Sequence, residues 1–116
     1  MSNPPESEIK IFAALDYLRD NAVPYAQARA NRTYLEEYRK TQKALLMQAA
    51  EMNGVNAISA QERDAYAAPE YVSHLVALKD AVEAEETLRW LFVAAQARIE
   101  AWRSLESSRR IEAKTL

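Results

Sequence analysis

The 116-residue chain has no cysteine, so neither a disulfide nor a thiolate metal site can form. Its one histidine, His74, cannot by itself supply the ligand set of a usual zinc site. A di-iron bundle would need paired Glu-x-x-His motifs, which are not there. Glycine occurs once, at Gly54, too little for a phosphate-cradling loop. It is also too little for sheets joined by tight turns, which consume many Gly, Asn-Gly and Asp-Gly steps. No nucleophile motif lies beside His74, so a Ser/His/Asp set is not expected. No apolar run approaches the roughly 20 residues of a membrane helix. The start Met-Ser-Asn-Pro-Pro-Glu lacks the basic and apolar regions of a secretion signal. These shortages point to a cytoplasmic protein without membrane segment, metal or cofactor, one that binds rather than catalyses.

Hydrophobic residues make up 49% and charged residues 28%, the composition of a folded chain rather than a disordered one. Good helix formers dominate, and the fold class expected is all-α. The net charge of −2 is unevenly spread. Residues 59–97 are acidic, whereas residues 21–50 and 98–116 are basic. That pattern suits either separate contact surfaces or a salt-bridged helical exterior.

Punctuation and periodicity place four helices. Pro4 and Pro5 can lead into a first helix over 6–20, with Ile9, Phe12, Leu15 and Leu18 on one face. Pro24 predicts a kink or break at Val23, because the residue before proline is pushed out of helical geometry. A second helix follows over 24–52. Its seam would combine Ala28, Leu35, Gln42 and Ala49 with Asn31, Tyr38, Leu45 and Met52, at three-and-four spacing. Gly54 suits a left-handed helix stop. Ser59-Ala60-Gln61-Glu62 has the form of a capping box and opens a short helix over 59–67. Pro69 starts the last helix, over 69–112.

That last helix carries two apolar faces. One holds Leu75, Leu78, Val82, Leu88, Phe92, Ala95, Ile99, Trp102 and either Leu105 or Glu106; the other holds Trp90, Ala94, Ala97 and Ala101. The helix on one side and the first two together on the other would each span about 66 Å. The expected architecture is an elongated helical hairpin, a kinked N-terminal arm packed antiparallel on one long C-terminal helix, forming a single domain. So thin a structure has little interior, and a second apolar stripe needs a second partner. A homo-oligomer follows, with Trp90, Phe92, Ile99, Trp102 and Leu105 as its interface.

Glu70 stands four residues before His74 and could pair with it, leaving His74 as a surface or rim residue. Asp80, Glu83, Glu85 and Glu86 read as a solvated acidic face, or as one that recruits a basic partner. Arg29, Arg32, Lys40 and Lys43 form a loose stripe on the second helix, with Arg39 off its edge, interleaved with Tyr25, Tyr34 and Tyr38 and interrupted by Glu36 and Glu37. Cations neutralise phosphates and rings stack on unpaired bases, so this stripe is the candidate nucleic-acid-binding surface. Tyrosines at this spacing also serve as helix contacts, and Arg32 with Glu36 has the spacing of a surface ion pair. Arg103, Arg109, Arg110 and Lys114 form a second basic group, which also complements the negative end of its helix.

The order Tyr25-x-x-Ala28, Tyr34-Leu35-x-x-Tyr38, Lys43-Ala44-x-Leu46, an Asn-Gly linker, Ser59-x-x-Glu62-x-x-x-Tyr66, then Leu88-Arg89-Trp90 and Arg98-Ile99, resembles the phage UvsY-like recombination mediators over roughly residues 20–115. The resemblance implies an oligomeric helical protein that binds single-stranded DNA, remodels the single-strand-binding protein and helps load a RecA-type recombinase. It also implies DNA contact around Lys43 and oligomer contacts on the helix from Trp90 to Trp102. The other reading of the same residues is a phage accessory or scaffold module that binds proteins and no nucleic acid.

Overall fold

The protein is all-α. A computed structural model describes residues 6–115, the side chains from Lys10 onward. It contains α1 (Glu6–Met52), α2 (Ile58–Ala67) and α3 (Pro69–Thr115). Expectations for Pro4, Pro5 and the Ile9 side chain fall outside the described residues.

The expected break at Val23 does not occur: α1 runs through Pro24 as one helix. Proline removes one helical N–H and crowds the carbonyl four residues back, at a cost of about 3 kcal/mol. Packing opposes that cost. Tyr17 and Tyr25, on either side of Pro24, both meet Phe92 edge-on, at centroid distances of 5.7 and 4.9 Å.

The helix ends follow local chemistry. Gly54 has φ of +94°, a left-handed conformation open to glycine because it carries no Cβ. Gly54 N–H donates to Glu51 O and Val55 N–H to Ala50 O, each at 3.0 Å, which together close α1 in a Schellman motif. The expected capping box does not form. α2 begins one residue earlier, at Ile58, with Ala57 at its N-cap and no side-chain cap. Gln61 is buried instead, its Nε2 donating to Val55 O at 2.8 Å, while Glu62 turns to Lys43. Pro69 opens α3 as expected, and α3 continues to Thr115 rather than stopping near Glu112.

The contacts divide into two compact units. The first combines the chain up to Tyr25 with residues from Glu86 onward. Here α1 packs antiparallel on α3 through Ile11, Ala14 and Leu18 on one side and Leu88, Phe92, Ala95, Ile99 and Trp102 on the other. Phe12 and Leu15, expected on the buried face, are exposed. The Trp90, Ala94, Ala97 and Ala101 stripe is exposed too.

The second unit is Ala26–Glu85 and contains all of α2. Its α3 seam is Tyr71, His74, Leu78, Ala81 and Glu85, not the Leu75 and Val82 of the sequence reading, both of which are exposed. Its α1 seam is Ala28, Arg32, Leu35, Tyr38 and Gln42, then Leu46 and Ala50; Asn31, Leu45, Ala49 and Met52 face outward. The drift after Tyr38 has a physical cause. Up to that point α1 faces α3, as His74 on Leu35 and Tyr38 shows, whereas Lys43 faces Glu62 and Tyr66 of α2. A new partner helix re-aims the buried stripe.

Two polar groups take seam positions. The Arg32 guanidinium makes a fork on Glu85, Nε to Oε2 at 2.5 Å and Nη2 to Oε1 at 3.2 Å, and reaches Glu36 at 2.6 Å. These carboxylates hold the Arg32 guanidinium charged well beyond its ordinary range. Glu85 is thus buried rather than part of a solvated acidic face. His74 is half-buried instead of lying at the rim, and its Nε2 donates to Leu35 O at 2.5 Å.

Candidate nucleic-acid interface

Arg39, Lys40 and Lys43 fall within one and a half turns of α1, so helical geometry alone gathers them on one side. The turn between α2 and α3 brings rings to meet them. Ala68 N–H donates to Ala65 O at 3.3 Å, and Tyr71 N–H donates to Ala68 O at 3.1 Å. This one-residue joint sets Tyr66 and Tyr71 edge-to-face at 5.2 Å. The result is a cleft of about 440 Å³ lined by Arg39, Lys40, Lys43, Tyr66 and Tyr71.

Lys43 is held at the wall of this cleft. Its ammonium donates to Glu62 Oε1 at 2.8 Å and lies 4.7 Å from the centre of the Tyr66 ring. Glu62 and Tyr66 are four residues apart on α2 and therefore share a face. The Glu62 carboxylate, and next to it Tyr66, push the Lys43 pKa above the usual lysine range. Lys43 in turn holds Glu62 below the usual carboxylate range. Lys40 is exposed and touches Glu37 at 3.3 Å.

A second depression of about 400 Å³ adjoins the first through Lys40, lined also by Tyr34, Glu37, Tyr38 and Thr41. Tyr34 and Tyr38 stack at 5.7 Å with ring planes 16° apart, and Tyr34 is 63% exposed. A flat exposed ring beside cations offers a base one face and a phosphodiester its counter-charge.

Of the five basic residues expected at the site, three are brought together: Arg39, Lys40 and Lys43. Arg29 is exposed on α1 ten residues before Arg39, about 15 Å along the helix. Arg32 is turned inward to Glu85. Of the residues expected at an oligomer interface, Phe92 is engaged by Tyr17 and Tyr25, and Ile99 and Trp102 are half-buried. Trp90 and Leu105 are exposed, at 59% and 54%. Arg103 and Arg109, in the other basic group, are paired with Glu100 and Glu106. Tyr66 and Tyr71 are the site residues that the α1 stripe did not announce. Periodicity within α1 cannot point across a connector to α2. The one available signal was the i, i+4 spacing of Glu62 and Tyr66.

Among the described residues no group of three or more His, Cys, Asp or Glu side chains could hold a metal. None of the described helices is long and apolar enough to cross a membrane. Comparison with known proteins gave no match to a family model, to a curated protein or to a solved structure.

Proposed function

We propose that this chain is a non-catalytic single-stranded-DNA-binding protein whose contact surface is the Arg39, Lys40 and Lys43 face of α1 with the tyrosines beside it. The observation that carries the reading is the convergence of three cations and two tyrosine rings from α1, α2 and α3 on one cleft. Unpaired bases leave their π-faces free for such rings, whereas a duplex keeps them stacked. Following the resemblance to UvsY-like mediators, the protein works as assembled copies that remodel single-strand-binding protein and help load a recombinase. One copy offers few cations, and assembly multiplies a weak contact by avidity.

The test is fluorescence anisotropy of a labelled oligothymidylate across a range of KCl concentrations. Affinity should fall with salt at a log–log slope no steeper than about −2 per bound copy, the value for three neutralised phosphates on a single strand. Replacing Arg39, Lys40 and Lys43 together with Ala should abolish most of it. Binding that ignores both salt and this triple substitution would remove the proposal. Adding single-strand-binding protein and a recombinase to the same oligonucleotide then tests the mediator role.

A second reading has its own support. Trp90, Leu91, Val93 and Leu105 leave an exposed apolar surface on the first unit, which suits a protein contact. A scaffold or accessory module would retain one protein partner through Trp90 and shift no oligonucleotide. Light scattering of the wild type and of Trp90→Ala reports whether that surface joins copies.

A further inference from the structure

A carboxylate outside the cleft lining, Glu62, holds one of the cleft's cations, where a phosphate-binding surface would be expected to leave it open. Glu62 satisfies Lys43 at 2.8 Å and parks its ammonium over the Tyr66 ring. In this arrangement Lys43 has a counter-ion already, and one face of Tyr66 has a cation on it. Both partners are reachable from solvent: the Lys43 side chain is 30% exposed and that of Glu62 44%. Tyr66 itself is 45% exposed.

We propose that Glu62 is a built-in competitor for single-stranded DNA: a backbone phosphate replaces its carboxylate on Lys43, and the departing ammonium frees the Tyr66 ring for a nucleobase. This rests on the reading of the cleft as a single-strand site. It assigns Glu62 as the residue that sets affinity and Tyr66 as a stacking platform, which makes the two events one exchange. A lysine on a flexible stem can make that swing, because its ammonium is a point charge without the fixed fork of an arginine. The exchange also explains how an acidic residue can stand beside a basic cleft: in the resting protein it neutralises Lys43 and suppresses weak binding to other polyanions.

The same anisotropy assay decides it, using full-length protein and oligothymidylate. Glu62→Gln should bind roughly three- to tenfold more tightly at low salt, since a charge-assisted bond no longer competes for Lys43. Its salt slope should steepen by about 0.7, to the full value of about −2, because no freed carboxylate takes up a compensating cation when Lys43 turns to the phosphate. Asp64→Asn removes the same charge from α2 without touching Lys43, and should gain much less. In a Lys43→Ala background the Glu62→Gln gain should vanish. Tyr66→Phe should bind like the wild type and Tyr66→Leu several-fold more weakly. Circular dichroism confirms that each variant remains helical.

The competitor role is overturned if wild-type protein binds and weakens on the Arg39/Lys40 substitutions while Glu62→Gln shows no gain, or the same gain as Asp64→Asn. The stacking role is overturned if Tyr66→Leu binds like the wild type. If neither wild type nor Glu62→Gln binds at low salt, the single-strand reading itself has failed, and the exchange with it.

Discussion

The two units build the same antiparallel α1–α3 contact from different materials. The first uses alanine and aromatic rings: Ile11, Ala14 and Ala95 are buried, and Phe92 receives the edges of Tyr17 and Tyr25. It leaves one polar atom in the seam unsatisfied: Tyr17 Oη is buried with no hydrogen-bond partner among the described residues. The second places Arg32 on Glu85 and His74 on Leu35 O in the seam itself. Non-directional packing tolerates sliding, whereas a forked ion pair fits at one register only. A single polar pair in a helical seam is a known way to fix alignment at some expense in stability. Apolar burial thus supplies cohesion in the first unit, and polar complementarity aligns the second, where the candidate cleft lies.

The largest expected effect comes from removing the ring on which two tyrosines converge in the first unit. Phe92→Ala should cost about 3 kcal/mol in urea unfolding, from lost burial and two lost edge contacts. In the second unit Glu85→Leu alone should lower the melting midpoint by roughly 5–10 °C, because Arg32 keeps its charge in the seam without its forked partner. Adding Arg32→Leu should restore most of that midpoint, and it should loosen the register seen by cross-linking engineered cysteines. A double variant as unstable as the single would show that the pair contributes cohesion as well as alignment.

Gly54→Ala should cost about 1 kcal/mol in the same unfolding experiment. No atom lies within 4 Å of the added Cβ, so the loss is backbone strain at φ +94° rather than crowding. The smallest effect is the pH dependence of the Lys43–Glu62 bond. Glu62 is held below the usual carboxylate range. Its stabilisation is therefore fully present above the unfolded value of about 4.3 and is lost as pH falls through the depressed folded value. Lys43 is held above the usual lysine range, so its share persists at neutral pH and is lost only in strong alkali. Between pH 5 and pH 3 the wild type should lose slightly more thermal stability than Glu62→Gln. Superimposable melting profiles would show the bond to be silent in folding.

Much of the fold was legible in the residues. The last helix shows how far periodicity reaches and where it misleads. Leu88, Phe92, Ala95, Ile99 and Trp102 were read correctly because the apolar residues themselves mark the three-and-four rhythm. Extending that rhythm backward leads to Glu85, Ala81, Leu78, His74 and Tyr71, the seam actually formed. Hydrophobicity pointed to Leu75 and Val82 instead, because a sequence reading has no way to credit a glutamate with a buried arginine partner. The same blindness placed Arg32 in a phosphate-binding stripe. Three of those five basic residues do line one cleft, since Lys43 stands three residues from Lys40 and four from Arg39, spacings that share a helix side whatever the tertiary structure does.

The helical class, the stop at Gly54 and the start at Pro69 follow from the residues alone, because they depend on backbone propensity and local hydrogen bonding. Tertiary structure decided the passage of α1 through Pro24, the burial of Glu85 and the meeting of Lys43 with Glu62 and Tyr66. Each of those turns on what another helix presents from far along the chain: rings that hold a proline in line, a guanidinium that makes a buried carboxylate tolerable, and a second helix that supplies a counter-ion.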